Sequence, residues 1–320
     1  MRICVVGDPE DLSAAYLIWL AKRRGAEVIV LSENDLGLNW RFQVPRHPEK
    51  STITMHDRVF SVHDIHGAFV RLNPKPVVHD RLGVPPEAEH IYVMERRYGL
   101  HWLLNEVPFP VINRPCAGRS NSSKPYQMML LERHEFAVPR WRVTNDPKVM
   151  ADFLAECQNG AIYKASSGLR SRVRRVDETL FTLMAEGTSP AVVQQYIPGF
   201  DVRIHVIGRT TFATQIRSHG IDYRFESEGV EYSRIEVPPL IQSLCIKTAA
   251  SEGLILAGFD FRKTVQDEWW CLEMNPVPTF LPYEASTGHP IGDTILDYFG
   301  DMPSPGQCVS PLVDLVEQPS

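Results

Sequence analysis

Runs of apolar residues separated by polar turns in the first part of the chain predict a strand, a helix and a second strand in succession. Residues 2–7 are almost wholly apolar and predict a buried strand, and residues 27–31 predict another. Between them, apolar residues recur at helical spacing over 11–24, and Gly25 ends the helix. Such a βαβ unit favours parallel strands with a right-handed crossover. Two further strands, a helix and a closing strand are predicted to complete this α/β unit: 58–62, 67–72, 87–106 and 110–113.

From residue 114 onward the pattern changes to helices alternating with β-hairpins, which predicts an α+β arrangement. The predicted helices cover 127–136, 143–158 and 239–252. The predicted strands cover 161–166, 172–176, 191–197, 201–208, 210–218, 256–265 and 268–276. The fold class is therefore α/β followed by α+β.

Composition and charge exclude several classes of protein. The 320 residues carry a net charge of −6, which disfavours a generic nucleic-acid binder. Hydrophobic residues make up 43% and charged residues 22%, so the chain is not expected to be disordered. No signal peptide, membrane span or clustered cysteines are found, and a cytoplasmic location is expected. A dinucleotide site is not indicated, because no Gly-x-Gly-x-x-Gly run follows the first strand.

The segment 258–276, GFDFRKTVQDEWWCLEMNP, carries the strongest chemical signal. It places Asp260 on one strand of a predicted hairpin and both Glu273 and Asn275 on the next, where a spacing of two puts them on one face. Three oxygen ligands from adjacent strands form a site that suits Mg²⁺, especially when phosphates complete the coordination. The alternative is a solvent-facing edge strand with ordinary polar alternation.

Two lysines are candidates for binding an anion. Lys124 begins a predicted helix, and Lys164 lies inside the apolar strand AIYKAS, where its ammonium group must reach water or an anion. A nucleotide phosphate suits both. The alternatives are a surface lysine at Lys124 and an edge-strand lysine at Lys164.

The segment 194–208 breaks an apolar strand at Pro198-Gly199 and resumes with Asp201 and Arg203 on one face. Backbone groups exposed at such a break can hydrogen-bond an adenine edge, and Arg203 can neutralise a transferring phosphoryl group. An Asp–Arg pair on a sheet surface is the alternative.

The order of these features resembles the ATP-grasp superfamily, and it is most similar to the RimK-like branch, which includes the peptide ligases of graspetide (microviridin-type) pathways. Asn-x-x-Lys, the strand lysine, Gln-x-Tyr-Ile-Pro, Asp-x-Arg, Gly-Phe-Asp and Leu-Glu-Met-Asn-Pro carry the resemblance over residues 113–299. It implies an ATP-grasp fold with an N-terminal pre-ATP-grasp domain. The implied divisions are 1–113, a central subdomain 114–189, a C-terminal subdomain 190–302 and a tail 303–320.

The resemblance also implies roles for individual residues. Lys124 and Lys164 would hold ATP phosphates, and Arg203 would touch the γ-phosphate. The adenine pocket and its surroundings would be formed by nucleotide-binding residues at the hinge between subdomains, namely Gln194, Gln195, Tyr196, Ile197 and Asp201. Arg217 would lie near the reacting carboxylate. The implied metal ligands are Asp260, Glu273 and Asn275, with two Mg²⁺ ions expected and Mn²⁺ as an alternative ion.

One departure from the family pattern is the turn between the strands at 161–166 and 172–176. Many relatives have a glycine-rich phosphate lid there, whereas this chain has one glycine. It has four arginines instead: Arg170, Arg172, Arg174 and Arg175. These guanidinium groups could bind phosphates or grip an acidic substrate, or the turn could be a solvated basic hairpin.

The implied activity is the ADP-forming ligation of a carboxylate to an amine or hydroxyl through an acyl phosphate. The substrate could be a peptide, a protein terminus or a small amino acid, and Arg71 is a candidate contact for its carboxylate. No role is assigned to His205, His219 or Cys271, which are expected to pack or cap. No nucleic-acid or membrane partner is expected, and homo-oligomerisation is left open. The competing function is a non-catalytic ATP-binding regulator or scaffold.

Overall fold

The computed structural model describes residues 1–72, 83–166, 172–178, 180–181, 189–218, 220–225 and 229–301. Arg170, His219 and the predicted tail at 303–320 lie outside these ranges. The predicted combination of an α/β unit with α+β units is confirmed. None of the helices in the described ranges has the length and apolar character needed to cross a bilayer.

The N-terminal unit contains a four-stranded parallel sheet and a small antiparallel sheet. Its elements are β1 (Arg2–Gly7), α1 (Leu12–Arg23), β2 (Glu27–Leu31), β3 (Trp40–Gln43), β4 (Thr52–Met55), β5 (Arg58–Ser61), β6 (Gly67–Arg71), α2 (Glu89–Glu106) and β7 (Val111–Ile112). The parallel sheet has the order β2-β1-β6-β7. The Asp11 carboxylate caps α1 by accepting hydrogen bonds from the backbone N–H groups of Ser13 and Ala14, both at 3.0 Å.

The prediction that residues 58–62 continue the parallel sheet is wrong. Residues 58–61 form β5, which pairs antiparallel with β4 in a separate sheet of order β3-β4-β5. Along β5 the side chain of Phe60 is buried, whereas Arg58 and Val59 are exposed. A strand of the central parallel sheet is covered on both faces and needs a longer apolar run, as in β1 and β6.

The central unit is an antiparallel sheet with helices beside it. Its elements are α3 (Lys124–Arg133), β8 (Trp141–Thr144), α4 (Pro147–Glu156), β9 (Ala161–Ala165), β10 (Arg174–Arg175) and β11 (Ala191–Gln195), with strand order β10-β9-β11-β8. The predicted helix over 143–158 is wrong in its first residues, because 141–144 form β8. The helix begins at Pro147, where the Asp146 carboxylate accepts a hydrogen bond of 2.8 Å from the backbone N–H of Lys148.

The C-terminal unit is a five-stranded antiparallel sheet with the order β14-β13-β12-β15-β16. Its elements are β12 (Phe200–Ile207), β13 (Thr210–Arg217), β14 (Glu231–Arg234), α5 (Pro239–Ser251), β15 (Leu256–Lys263), β16 (Trp269–Asn275), α6 (Leu281–Thr287) and α7 (Ile291–Gly300). One face of this sheet packs on α3 and α5 in a core that includes Ile204, Phe259 and Met274. The opposite face carries polar residues such as Arg203 together with buried apolar residues such as Ile207 and Ile216, which pack in a second core.

The N-terminal and C-terminal units share a hydrophobic core. Side chains of α1, β1 and β6 pack with Phe280, Ile295 and Phe299 around the last two helices. At the junction, the buried Asn113 amide nitrogen donates to the carbonyls of Leu256 and Pro276, both at 2.5 Å. This junction anchors the loop after β16, so the N-terminal unit supports the end of the strand that carries the candidate metal ligands.

Candidate functional site

Strand register brings the central candidate residues into one row across the C-terminal sheet. Arg203 on β12 lies opposite Asp260 on β15, and Asp260 lies opposite Glu273 on β16. Residues directly opposite each other on antiparallel strands share a face of the sheet. Asn275 lies two residues beyond Glu273, opposite Gly258, and therefore joins the same face.

A β-bulge makes this arrangement compatible with a buried core on the other face. Asp260 pairs with Glu273, whereas the adjacent Phe261 pairs with Cys271, so Leu272 is the extra residue of β16. The bulge shifts the alternation of β16 side chains between the two faces of the sheet by one residue. As a result, both Cys271 and Met274 are fully buried on the core side. Glu273 and Asn275 can therefore point to the site, and the interpretation of Cys271 as a core residue agrees with its complete burial.

Arg203 and Asp260 form a buried ion pair at the centre of the row. Arg203 Nε lies 2.7 Å from Asp260 Oδ1, and Nη2 donates a hydrogen bond of 2.8 Å to Oδ2. Burial raises the pKa of Asp260, while the charge of Arg203 opposes that rise. Gly258 leaves the space for the guanidinium group, because a Cβ atom there would lie 2.5 Å from Arg203 Nη1. Each carboxylate oxygen of Asp260 keeps a further lone pair for another ligand.

The oxygen atoms of Asp260, Glu273 and Asn275 fit a Mg²⁺ site that phosphates would complete. No three His, Cys, Asp or Glu side chains gather into a metal-ligand cluster within the described ranges. Two carboxylates and an amide oxygen are nevertheless a typical protein share of Mg²⁺ coordination at a nucleotide. The Asn275 Oδ1 atom accepts a hydrogen bond of 2.9 Å from the backbone N–H of Val277, which fixes the orientation of this amide.

Lys124 and Lys164 lie on the central unit, close to this row. Lys164 is 8% exposed, and burial lowers its pKa to about 8 although the charge of Glu273 acts in the opposite direction. Burial also lowers the pKa of Lys124, again opposed by Glu273. The backbone N–H of Lys124 donates to the carbonyl of Ser166 at 3.0 Å, which joins the start of α3 to the end of β9. The two cations and the carboxylates therefore belong to one electrostatic cluster.

Residues Gln194 to Ile197 form the connection between the central and C-terminal sheets. The Gln194 side chain is buried, and its Nε2 atom lies 3.5 Å from the sulfur of Met128. The backbone N–H groups of Gln195 and Tyr196 donate to the carbonyls of Arg140 and Gly160, at 2.8 and 3.0 Å. Ile197 is buried at the end of this segment, where the chain crosses between sheets.

Asp201 is held by an arginine that the sequence reasoning missed. Arg262 Nη1 lies 2.6 Å from Asp201 Oδ2, and Arg262 Nε donates to the carbonyl of Ile197 at 3.2 Å. Burial raises the pKa of Asp201 to about 6. The pair thus braces the connection between the sheets. Arg262 follows Asp260 by two residues on the same strand, and that spacing is the signal that could have identified it.

Two predicted arginines are not brought into the row. Arg217 lies three residues beyond Thr214, the partner of Arg203, and therefore occupies the opposite face, with its guanidinium 5.6 Å from the ring of Phe200. Arg71 is engaged elsewhere: its Nη2 lies 2.8 Å from Asp11 Oδ2, and its Nη1 donates to the carbonyl of Pro278 at 3.0 Å. Arg71 thus supports the loop after β16.

The basic turn is docked at its described end. The guanidinium carbon of Arg175 lies 3.6 Å from the ring centroid of Tyr196, and that of Arg172 lies 5.1 Å from the ring of Phe225. Arg172, Arg174 and Arg175 are all exposed. Arg172 and Arg175 therefore combine solvent exposure with contacts to aromatic rings, and the binding of phosphates or of an acidic substrate by this turn stays a prediction.

His205 is fully buried on the same face of the sheet as Arg203, two residues further along β12. Its Nε2 atom lies 3.1 Å from the carbonyl of Thr279, and its ring contacts that of Tyr283 edge to face at 4.9 Å. Burial lowers the pKa of His205 to about 3, so the ring is neutral at physiological pH.

Arg224 is the second residue that the sequence reasoning missed. It follows β13 and is bound by Asp222, with hydrogen bonds of 2.7 Å from both Nε and Nη2 to the carboxylate. Its charge acts on Lys124, Lys164 and Asp260, so its guanidinium belongs to the same cluster. No periodicity or motif in the segment 220–225 signals this position.

The structure is similar to solved structures over nearly its whole length. No protein-family model matches the sequence, and no curated protein matches it either. The ATP-grasp ligase PsnB, complexed with a phosphomimetic variant of its minimal precursor, Mg and ADP, has a TM-score of 0.77 and 23% identity, covering 93% of this chain and 98% of that one.

Two further solved structures show the same likeness. The Chryseobacterium gregarium RiPP-associated ATP-grasp ligase, in complex with ADP and a leader and core peptide, has a TM-score of 0.79 and 19% identity, covering 95% and 98% of the two chains. The macrocyclase MdnC from Microcystis aeruginosa MRC, bound with precursor peptide MdnA, has a TM-score of 0.78 and 16% identity, covering 94% and 100%. At these identities the likeness establishes the fold.

Proposed function

We propose that this chain, which has the ATP-grasp fold, is an ADP-forming ligase that activates a carboxylate with ATP and Mg²⁺ and joins it to an amine or hydroxyl. The observation that carries the proposal is the row Arg203, Asp260 and Glu273, with Lys124 and Lys164 close by. Two anions must meet in the first step of such a ligation. A cluster of cations and metal ligands is what lowers the cost of bringing them together.

We further propose a peptide as the substrate. The solved structures of similar fold include ligases complexed with precursor peptides, and this supports a peptide for the present chain. The nucleophile belongs to the substrate, so a lysine amine would give an amide and a serine or threonine hydroxyl would give an ester.

The proposed reaction has two steps. A carboxylate oxygen of the substrate attacks the γ-phosphorus of ATP, the bond to the β-phosphate oxygen breaks, and ADP leaves with that electron pair. The nucleophile then attacks the carbonyl carbon of the acyl phosphate and loses its proton, and phosphate leaves with one oxygen of the original carboxylate. The net change in the substrate is the loss of one water for each bond formed.

Each residue of the cluster has a proposed part in this reaction. Lys124 and Lys164 bind the phosphates, and Arg203 stabilises negative charge at the γ-phosphate while Asp260 keeps its guanidinium in place. Asp260, Glu273 and Asn275 would hold Mg²⁺, for which we propose two ions, with Mn²⁺ as a substitute. When bound, the metal neutralises phosphate charge and orients the phosphate chain for attack.

The remaining predicted residues serve binding in this proposal. Gln194 to Ile197 would line the adenine site at the connection between the sheets, and Asp201 would support it through Arg262. Arg217 near the reacting carboxylate stays a prediction, because the register places it on the other face of the sheet.

The test is an incubation with ATP, Mg²⁺ and a pool of peptides that combine Asp or Glu with Lys, Ser or Thr, followed by ADP release and mass spectrometry. ADP formation accompanied by peptides lighter by one or more waters is the expected result. Glu273→Gln should abolish both, whereas the matched change Glu268→Gln, at an exposed position on the same hairpin, should not. Undiminished turnover in Glu273→Gln would remove the metal assignment.

The competing function, an ATP-binding regulator or scaffold, predicts a different outcome of this test. Tight binding of ATP with no release of ADP or phosphate across the whole pool would favour it. The intact set of Arg203, Asp260, Glu273 and Asn275 supports catalysis, since a regulator needs no complete metal and phosphoryl-transfer site.

A further inference from the structure

The side chain of Tyr283, on α6, packs against the face of the C-terminal sheet that carries the row of Arg203, Asp260 and Glu273. The guanidinium carbon of Arg203 lies over the Tyr283 ring, 5.6 Å from its centroid, and the His205 ring lies 4.9 Å from the same ring. Arg203 and His205 are two residues apart on β12 and share that face, so the Tyr283 ring spans both. Tyr283 is only 6% exposed, and a cation this close to the face of a buried aromatic ring is attracted to it.

The Arg203 guanidinium is therefore held by two different kinds of contact. Asp260 binds its edge through Nε and Nη2, at 2.7 and 2.8 Å. The Tyr283 ring borders it as a second, apolar surface. A guanidinium has five N–H groups, so the two bonds to Asp260 leave three N–H groups for another anion.

The Tyr283 ring is itself held at its tip and at its edge. The hydroxyl groups of Tyr283 and Tyr223 share a hydrogen bond of 2.8 Å, which links α6 to the short turn 223–225 after β13. The ring of Tyr232, on β14, meets the Tyr283 ring edge to face with centroids 5.6 Å apart. A phenylalanine would keep the edge contact but lose the bond at the tip, so the hydroxyl group has a use that packing alone does not require.

We propose that Tyr283 is a positioning residue for Arg203. Its ring sets the orientation of the guanidinium so that the three remaining N–H groups meet the transferring phosphoryl group, and the Tyr223 hydroxyl keeps the ring in place. This inference rests on the proposed function, in which Arg203 stabilises negative charge at the γ-phosphate. The precision matters because a charged group that is ordered before the phosphate arrives need not be ordered at the expense of binding.

A purely structural role for Tyr283 makes a different prediction. Its ring also belongs to the hydrophobic core that the N-terminal and C-terminal units share. If Tyr283 only filled this core, its replacement would lower the unfolding free energy and affect all nucleotides alike. If it positions Arg203, its replacement should affect nucleotides that carry a γ-phosphate and spare those that lack one. The positioning effect should also require Arg203.

The experiment measures binding of two nucleotides to the full chain by calorimetry. Mg–AMPPNP keeps a terminal phosphate that cannot be transferred, and Mg–ADP lacks that phosphate. Tyr283→Leu should weaken Mg–AMPPNP binding about 5- to 30-fold, the range for loss of a cation–π contact shielded from water, and leave Mg–ADP binding within about twofold. The matched control is Tyr232→Phe, which alters a ring that packs on Tyr283, and both affinities should stay at the wild-type values.

Milder variants test the hydroxyl pair if Tyr283→Leu fails to unfold cooperatively in denaturant. Tyr283→Phe and Tyr223→Phe each remove the same hydrogen bond, so each should weaken Mg–AMPPNP binding about 2- to 10-fold. The double variant should be no weaker than either single one, because the bond is lost only once. Additive losses would overturn the role of the Tyr223 hydroxyl.

A double-mutant cycle with Arg203→Gln tests the positioning role itself. Tyr283→Leu, or Tyr283→Phe where the former does not fold, should have no further effect on Mg–AMPPNP binding once Arg203 is replaced. An equal effect in both backgrounds, an equal loss for Mg–ADP, or an unchanged affinity for Mg–AMPPNP would overturn the inference while leaving the proposed function intact. If the wild-type chain and Tyr232→Phe bind neither nucleotide, the proposed function fails and this inference fails with it.

Discussion

Gly258 is the position where the structure gives the sharpest prediction. It lies two residues before Asp260 on β15, beside the Arg203 guanidinium, and a Cβ atom placed on it would lie 2.5 Å from Arg203 Nη1 and 2.6 Å from Pro278 Cβ. Ordinary contact begins near 3.4 Å, so Gly258→Ala requires the guanidinium to move by about 0.9 Å or the backbone to shift by a similar amount. Asp260 holds Arg203 at two atoms, so the guanidinium cannot swing away freely.

Displacement of this size has a large effect on catalysis and a moderate effect on stability. A misplacement of about 1 Å in a catalytic group costs roughly 100-fold in rate, and an extra methyl group in a packed site costs about 1–3 kcal/mol of unfolding free energy. We therefore expect Gly258→Ala to lower the rate of peptide-dependent ADP release about 100-fold while the chain stays folded. ADP release and denaturant unfolding are the two measurements.

The control for this change is Gly300→Ala at the end of α7. A Cβ atom there has no other atom within 4 Å, so turnover should equal that of the wild type. If Gly258→Ala also keeps full turnover, Arg203 does not need its observed position, and the assignment of its role is refuted.

Two further predictions concern pH and the junction between units. Because burial lowers the pKa of Lys164 to about 8, this side chain loses its charge as pH rises, and Mg–ATP affinity should fall between about pH 7 and about pH 9. In Lys164→Arg, which stays charged, affinity should not fall over this range, and a fall that persists in this variant would exclude Lys164 as its source. Asn113→Leu leaves the carbonyls of Leu256 and Pro276 and two backbone N–H groups without their buried partner, so the unfolding free energy should drop by about 3 kcal/mol or more. The control Asn159→Leu, at an exposed position, should change the unfolding free energy by less than about 1 kcal/mol. Equal denaturant midpoints for the two variants would contradict the role of Asn113.

The pattern of apolar and polar residues along the chain was sufficient to predict most helices and strands of the fold. The hairpins that carry Arg203, Asp260 and Glu273 could be predicted because each strand alternates apolar and polar residues up to a clear turn. The two wrong predictions, a parallel strand over 58–62 and a helix from residue 143, have a local cause as well. The strands β3 and β4 are only four residues long and contain polar residues, and β8 ends just before a helix cap at Asp146, so the pattern merges with the following helix.

The candidate site could be predicted where its residues lie at fixed spacing on paired strands, and it could not where a residue depends on tertiary contacts. Glu273 and Asn275 follow from a spacing of two, and cross-strand pairing then brings Asp260 beside them. Arg224 comes from a short turn whose position is set by its contact with Val173, about fifty residues away in sequence. The ion pair of Arg71 with Asp11 could not be predicted for the same reason, because the two residues are far apart in sequence, and the role of Arg71 as a contact for the substrate carboxylate stays a prediction.

The most direct test of the proposed acyl-phosphate mechanism follows one oxygen atom of the substrate carboxylate. A peptide found to react in the screen is prepared with heavy oxygen in its acidic side chains and incubated with the chain, ATP and Mg²⁺, and the released phosphate is analysed by mass spectrometry. An acyl-phosphate mechanism transfers one labelled oxygen to phosphate for each bond formed, and ADP appears in equal amount. Label appearing in AMP, or phosphate released without label while the peptide loses water, would contradict it.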